Sequence, residues 1–208
     1  MPHVAILGDS IFDNAAYTAG GPSVIDHLRE VLPADWRADL LAVDGATTED
    51  VPDQLAKLPS GATHLVLSVG GNNALLRAEI LEAPVSSSAE VYLLLGRTAE
   101  EFRAQYANLI ESCLSQALPL VVCTIYNGNF PDPQYQAAVR VALAAFNDAI
   151  VSTAVEHQLA VIELRRVCNL PAHFANPLEP SVIGGERIAG AIARALLGSA
   201  GSGARIAA

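Results

Sequence analysis

Ser10 is the first residue along the chain whose type and position could support chemistry. It follows the mostly aliphatic run 3–7, and only Gly8 and Asp9 lie between that run and the serine. Gly8 permits a tight turn at the end of a strand, so the serine hydroxyl can be presented at the edge of a sheet. A hydroxyl in such a position can act as a nucleophile when a neighbouring base accepts its proton.

Three further clusters of polar residues and glycines follow predicted strands. The second strand leads to Gly45, the third leads to Asn72, and the fifth leads into a loop that contains Asn176 and Glu179. Ligands of open parallel sheets bind at the carboxyl ends of the strands, so these clusters should meet Ser10 at one rim. One cluster alone is weak evidence, because Gly, Ser and Asn are ordinary turn residues. Four clusters in order at strand ends are stronger evidence of a site.

Short aliphatic runs alternate with longer helical segments along the chain. The aliphatic runs predict strands at 3–7, 38–43, 64–69, 120–124 and 159–164. Helices are predicted at 22–32, 47–58, 98–117, 134–157 and 184–197. This alternation is typical of parallel strands that helices cover on both faces. We therefore expect an α/β fold, a three-layer α/β/α sandwich with a central parallel sheet of about five strands in a flavodoxin-like order.

A single domain is predicted for residues 1–198, because a chain of 208 residues suits one large domain better than two. Residues 74–97 do not fit the alternation, since they combine a run of serines with an apolar run. Long irregular inserts are often functional, so this segment is either a lid or substrate wall or, equally, a surface helix packed on the core. Residues 199–208 are small and rich in Gly and Ser, which predicts a flexible tail.

The acidic composition disfavours nucleic acids and membrane surfaces as partners. The formal net charge is −10, which repels phosphate backbones and anionic lipid. The mainly apolar stretches 119–125 and 189–197 are too short to span a bilayer. The cysteines are widely spaced, which predicts reduced, buried thiols. Together with the lack of a basic leader before the first strand, they favour a cytoplasmic location. These cysteines are Cys113, Cys123 and Cys168.

No cofactor or metal ion is expected. The sequence contains no dinucleotide-binding glycine motif, no P-loop and no Gly-x-Ser-x-Gly elbow. Asp9 and Asp13 flank Ser10 and could suggest a metal site, but no further carboxylates stand in a recognisable ligand arrangement. The histidines outside the last loop lack metal-ligand spacing and are interpreted as structural. They are His3, His27, His64 and His157.

The four clusters together resemble the SGNH (GDSL-like) hydrolase family, from Gly8 to about Ala193. The resemblance implies that Ser10 is the nucleophile. It also implies an oxyanion hole made by the backbone N–H of Ser10, the N–H of Gly45 and the side chain of Asn72. Fixed N–H donors suit acyl transfer, because negative charge develops on the carbonyl oxygen of the substrate. The implied activity is that of a serine ester hydrolase or acyltransferase, acting on a small ester, thioester or acetylated substrate through an acyl-enzyme.

The last cluster departs from the pattern of that family. The family has Asp-x-x-His-Pro before the final helix, whereas residues 176–180 read Asn-Pro-Leu-Glu-Pro. The alignment makes Glu179 the general base, with the amide NH₂ of Asn176 orienting its carboxylate. An unperturbed Glu is a weaker base than His unless burial raises its pKa. His173, in the same loop, is the alternative base, and a third alternative is that neither residue takes the proton. Asn73 also replaces an Asp that is usual in the third cluster.

A non-catalytic protein is the competing interpretation. It would keep the SGNH fold and its pocket for ligand binding, after losing the histidine base. The altered last cluster favours this interpretation, whereas the retained Ser10, Gly45 and Asn72 favour the enzyme. The expected partner of the enzyme is a small-molecule ester.

Overall fold

The computed structural model describes residues 1–198, and the predicted tail at 199–208 lies outside the described residues. Five strands pair in parallel in the order β2-β1-β3-β4-β5. The predicted parallel sheet and its flavodoxin-like order are therefore confirmed. The strands are β1 (His3–Gly8), β2 (Arg37–Leu40), β3 (His64–Ser68), β4 (Leu120–Cys123) and β5 (Ala160–Ile162).

Helices connect each strand to the next and cover the sheet. Short 3-10 turns at Ala15–Tyr17, Ala78–Glu82 and Pro171–His173 supplement them. The helices are α1 (Val24–Val31), α2 (Val51–Leu55), α3 (Gly71–Leu75), α4 (Ser88–Leu114), α5 (Pro133–Glu156), α6 (Leu164–Val167) and α7 (Val182–Leu197).

Alternate residues of β1 belong to two separate hydrophobic cores. Val4 and Ile6 pack with residues of α1 and α7, whereas Ala5 and Leu7 pack with residues of α4 and α5. Successive side chains of a strand point to opposite faces of the sheet, so a strand buried on both faces must be apolar throughout. The described residues thus form the expected three layers.

Helix α5 is the most membrane-like element by composition. One 18-residue window of it has a mean hydropathy of 1.4, so by length and composition alone it could cross a membrane. This length of α5 is not evident from short apolar stretches, because Arg140 and polar residues interrupt the apolar residues of the helix. Leu143, Phe146 and Ile150 of α5 are buried in the core that α4 shares, which accounts for the apolar composition.

Helix α4 begins at Ser88 rather than at the predicted residue 98. The Ser87 hydroxyl accepts a hydrogen bond from the Glu90 N–H at 3.3 Å, and the Glu90 carboxylate accepts one from the Ser86 N–H at 2.8 Å. The serines that looked like part of an irregular insert therefore cap a helix. The apolar run 91–95 forms its first turns.

The loop between β2 and α2 is longer than predicted. The Thr47 N–H and hydroxyl both donate to the Asp50 carboxylate, at 2.7 and 2.8 Å. The spacing that resembles a capping box closes a turn here, and α2 begins only at Val51. Because β2 ends at Leu40, residues 41–50 are free to reach the carboxyl edge of the sheet.

Candidate active site

Ser10 lies in a tight turn at the carboxyl end of β1. Gly8 has a φ of +128°, and a Cβ there would lie 1.7 Å from the Ser68 carbonyl oxygen of β3, so only glycine fits. The Asp9 carboxylate accepts a hydrogen bond from the Ile11 N–H at 3.1 Å and closes the turn. Within the described part of the chain, the Ser10 N–H has no acceptor, so it is available to a ligand.

Hydrogen bonds join Asn72 to the loop that carries Gly45. The Asn72 amide donates to the Ala46 carbonyl at 2.9 Å, which occupies one of its two amide hydrogens. Asn73 accepts from the Thr48 N–H at 3.1 Å and donates to the Thr48 hydroxyl at 2.9 Å. Gly45 has a φ of +81°, and no acceptor among residues 1–198 takes its N–H. Donors therefore remain free on both Gly45 and Asn72.

The Glu179 carboxyl lines the same cavity as Ser10 and Asn72. Its Oε2 is buried and makes no hydrogen bond to any described residue. Burial raises the pKa of Glu179, the Ser10 hydroxyl counters this as a hydrogen-bonding neighbour, and the negative charge of Asp44 raises it further. No hydrogen bond that is both within 3.5 Å and well aligned joins the two side chains, but the Ser10 hydroxyl is close enough to lower the pKa of Glu179.

Asp9 is a second buried carboxyl in this cavity, with 2% of its surface exposed. Burial raises the pKa of Asp9 to about 7, against the effect of its hydrogen bond with Ile11, and the charges of Glu179 and Asp44 add to the rise. From the sequence, Asp9 was interpretable only as a possible metal ligand. Among the described residues, no group of three or more His, Cys, Asp or Glu side chains could hold a metal ion.

Asn176 contacts the backbone of Glu179 and not its carboxylate. The Asn176 amide oxygen accepts hydrogen bonds from the N–H groups of Leu178 and Glu179, both at 2.8 Å. No hydrogen bond joins the Asn176 NH₂ to the Glu179 carboxylate, in contrast to the expectation from the sequence. The reason is local: the Asn side chain closes a turn over the next residues, and the carboxylate faces the cavity.

His173 lies apart from this group. Its ring Nδ1 accepts hydrogen bonds from the N–H groups of Asn169 at 3.1 Å and Leu170 at 3.3 Å. Burial lowers the pKa of His173, with a smaller contribution from the positive charge of Arg187. The ring does not line the cavity that contains Ser10, and it stabilises its own loop instead.

An apolar cavity of about 100 Å³ opens beside Ser10. The insert predicted at 74–97 forms one wall, and α5 forms the other. The apolar side chains that face each other across it include Leu75, Leu81 and Leu95 on one side and Val139, Leu143 and Phe146 on the other. Such a lining suits an aliphatic group. Whether the insert moves as a lid stays a prediction.

Two buried polar residues that the sequence analysis did not single out contact the Glu179 loop. Tyr126, just after β4, donates its hydroxyl to the Leu178 carbonyl. Asn14, in the loop after β1, donates to the Pro180 carbonyl at 3.2 Å. Inspection of the carboxyl end of the fourth strand would have found Tyr126. Asn14 gave no such signal, because it lies beyond the turn in an irregular stretch.

Comparison with protein-family models matches residues 6–181 to a family described as GDSL-like Lipase/Acylhydrolase. Comparison with curated protein sequences finds no match.

Solved structures with the same fold include several esterases and lipases. An extracellular lipase from Streptomyces rimosus is 16% identical with a TM-score of 0.68, over 94% of this chain and 100% of that chain. A lipase/acylhydrolase from Enterococcus faecalis is 20% identical with a TM-score of 0.65, over 93% and 94%. A catalytic mutant of an acetylxylan esterase from Geobacillus stearothermophilus is 16% identical with a TM-score of 0.66, over 94% of both chains. At these identities the likeness is one of fold.

Proposed function

Because the chain belongs to the GDSL-like lipase/acylhydrolase family, we propose that it is a serine ester hydrolase that forms an acyl-enzyme on Ser10. One observation carries the proposal: Ser10, Asn72 and Glu179 line one cavity, and the Glu179 Oε2 there makes no hydrogen bond to the described residues. A nucleophile, a donor and a proton acceptor on a shared cavity are the groups that acyl transfer needs.

In the proposed mechanism, the Ser10 oxygen attacks the ester carbonyl carbon while the Glu179 carboxylate accepts the hydroxyl proton. The N–H groups of Ser10 and Gly45 and the free amide hydrogen of Asn72 stabilise the resulting oxyanion. The bond to the alcohol oxygen then breaks, and the alcohol leaves with the proton that Glu179 returns. Water attacks the acyl-enzyme in the same way, which releases the acid and restores the Ser10 hydroxyl.

Burial makes Glu179 a better base than an exposed glutamate. The raised pKa of Glu179 means that its carboxylate holds a proton more strongly at the moment of attack. Asn176 supports this role through the backbone, because it fixes the turn from which the Glu179 side chain projects. A glutamate in the place of the family's histidine is thus compatible with general-base chemistry.

The apolar cavity favours a substrate with an aliphatic acyl chain. Its walls from the insert and from α5 would cover methylene groups, each of which contributes about 0.8 kcal/mol when it leaves water. A small carboxylic ester or thioester with a chain longer than acetyl therefore suits the cavity better than an acetylated sugar does. Transfer of the acyl group to water or to a second alcohol uses the same acyl-enzyme.

Ligand binding without catalysis is the second candidate function. It is favoured by Asn176 and Glu179 standing where the family has Asp and His. The two candidates differ in whether Ser10 reacts.

The test uses the purified protein with p-nitrophenyl acetate, butyrate and hexanoate, and a fluorophosphonate probe with mass analysis of the labelled peptide. We expect turnover of the esters and a covalent adduct on Ser10. Ser10→Ala should lose both, whereas Ser112→Ala, a change on α4, should lose neither. Added alcohol that yields a new ester would identify acyl transfer. No turnover at any pH and no adduct on Ser10 would instead support the binding protein.

A further inference from the structure

The loop that carries Glu179 is fixed through its backbone carbonyls. Each of the four consecutive carbonyl oxygens of residues 177–180 accepts a hydrogen bond. The first accepts from the Asn129 N–H and the third from the Ala175 N–H, both at 2.8 Å. Side chains supply the other two hydrogen bonds, Tyr126 to the second carbonyl and Asn14 to the fourth.

Asn14 differs from the other donors because it lies on the loop of the nucleophile. It is fully buried, with 0% of its surface exposed. Its Nδ2 donates to the Pro180 carbonyl at 3.2 Å, and its Oδ1 accepts from the N–H of Val24, the first residue of α1, at 2.8 Å. Gly185 of α7 packs against it, because a Cβ there would lie 3.6 Å from the Asn14 Nδ2. The Asn14 side chain therefore connects the Ser10 loop, α1 and the Glu179 loop.

We propose that Asn14 is a positioning residue that holds the Glu179 loop in register with Ser10. The inference rests on the proposed function, since Asn14 touches neither the cavity nor the reacting atoms. The Glu179 Oε2 has no hydrogen bond to residues 1–198, and no well-aligned hydrogen bond joins the carboxylate to Ser10. The location of the carboxylate thus depends on its backbone, and a misplacement of about 1 Å can cost about 100-fold in rate.

Capping of α1 is the structural role from which positioning must be separated. Ser23 is the N-cap of α1, and its hydroxyl and N–H both contact the Asp26 carboxylate, at 2.6 and 2.9 Å. Ser23→Ala therefore weakens the start of α1 without changing a contact of the Glu179 loop. It is the matched control for the hydrogen bond that Asn14 accepts from Val24.

The first test compares two variants of Asn14 with Ser23→Ala. Asn14→Asp keeps the oxygen that accepts from Val24 but cannot donate to Pro180, and Asn14→Leu removes both hydrogen bonds without adding a charge. We expect either variant to lower kcat for p-nitrophenyl butyrate about 10- to 100-fold, with KM within about twofold. Ser23→Ala should lower Tm and leave kcat unchanged. Wild-type kcat in a folded Asn14 variant would overturn the proposal.

The second test asks whether Asn14 acts through the base. In a protein that already carries Glu179→Gln, Asn14→Leu should cause no further loss of kcat, because the displaced group no longer takes the proton. A further loss as large as in the wild-type background would indicate a general structural role and would contradict positioning.

A third measurement does not depend on turnover. Carbon-13 NMR titration of the Glu179 carboxyl should show its pKa falling toward the ordinary glutamate value in Asn14→Leu, since the loop no longer holds the side chain in its buried position. Ser23→Ala should leave that pKa unchanged. An unchanged pKa in Asn14→Leu overturns the positioning role, whereas a protein without ester turnover or Ser10 labelling contradicts the proposed function alone.

Discussion

Around the cavity, three residues each keep one polar group without a partner among the described residues. They are the backbone N–H of Ser10, the second amide hydrogen of Asn72 and the Oε2 of Glu179. Of the three, the Glu179 Oε2 is buried, and a buried polar group without a hydrogen bond costs about 1 to 3 kcal/mol. The presence of these three groups around one cavity indicates a site that binds a polar reacting centre.

Asn72→Ala should lower kcat about 10²- to 10³-fold, because the amide would stabilise charge that exists only in the transition state. KM should change far less. Steady-state kinetics with p-nitrophenyl butyrate measure both constants, and Asn108→Ala, an exposed change on α4, serves as the control. A kcat equal to that of the wild type would mean that Asn72 only tethers the Gly45 loop through Ala46.

Glu179→Gln should abolish most turnover and remove the acidic limb of the kcat profile, because the amide keeps the shape but cannot accept the proton. His173→Ala should leave both kcat and that limb largely intact, since its ring hydrogen-bonds to its own loop and does not line the cavity. The pH profile of kcat between pH 4 and 9 distinguishes the two variants. An inactive His173→Ala beside an active Glu179→Gln would assign the base to His173.

Asp44→Asn should move the acidic limb to lower pH. The base must be ionised, so activity falls as the pH drops through the pKa of Glu179, which the charge of Asp44 raises. Removing that charge lowers the pKa and extends activity into acid, while the amide oxygen can still accept from the Tyr17 hydroxyl. Asp53→Asn, on α2, should leave the limb in place. An unmoved limb in Asp44→Asn would show that another group titrates.

The walls of the cavity come mainly from the insert and from α5. The insert at 74–97 and the N-terminal half of α5 line it, whereas the strand ends supply Ser10 and its neighbours at the rim. Most of the insert's lining residues, such as Leu75 and Leu81, precede α4, and the early start of α4 at Ser88 places the apolar run 91–95 in a helix. Leu95 from that run contacts the cavity. Acyl-chain preference is therefore expected to depend on α4 and α5.

Ala142→Phe on α5 should shorten the acyl chain that the protein accepts. Ala142 lines the cavity, so a larger side chain would take the space of the chain's outer methylenes. We expect kcat/KM for p-nitrophenyl hexanoate to fall about tenfold, with little change for the acetate. Val141→Phe is the matched control, because Val141 precedes Ala142 on α5 and is 61% exposed. Equal losses for all chain lengths would place the acyl group elsewhere.

At the scale of the whole molecule, the buried Asp9 connects the site to stability. Its pKa is raised from 3.8 to about 7, so folding favours the protonated form. The stability that this contributes is fully present below pH 3.8 and is lost as the pH rises through about 7. Ionisation of Asp9, which lines the cavity, therefore lowers the stability of the folded protein at neutral pH.

Asp9→Asn should raise Tm relative to the wild type at pH 8 and should give little gain at pH 4. The amide cannot ionise, and its oxygen can still accept from the Ile11 N–H. Differential scanning calorimetry of both proteins between pH 4 and pH 8 measures the difference, and Asp53→Asn controls for the change in net charge. A gain in Tm that is independent of pH would mean that Asp9 is not titrating in this range.

The sequence alone determined the architecture of the sheet and the candidates for the rim. Strand and helix periodicities are local, and the rule that ligands bind at the carboxyl ends of parallel strands then points to Ser10, Gly45, Asn72 and Glu179. Sequence reasoning also predicted that Gly8 permits a tight turn before Ser10, and the structure adds that β1 and β3 approach too closely there for a Cβ. These features depend on residues that are close in sequence or that follow the carboxyl ends of predicted strands.

Only the tertiary structure decided which atoms meet. Whether Asn176 uses its oxygen or its NH₂, whether His173 reaches the cavity, and which residues hold the Glu179 loop all depend on distances between segments far apart in sequence. Asn14 and Pro180, which are 166 positions apart, illustrate this. Hydrogen bonds require alignment within a few tenths of an ångström, and periodicity carries no information at that precision.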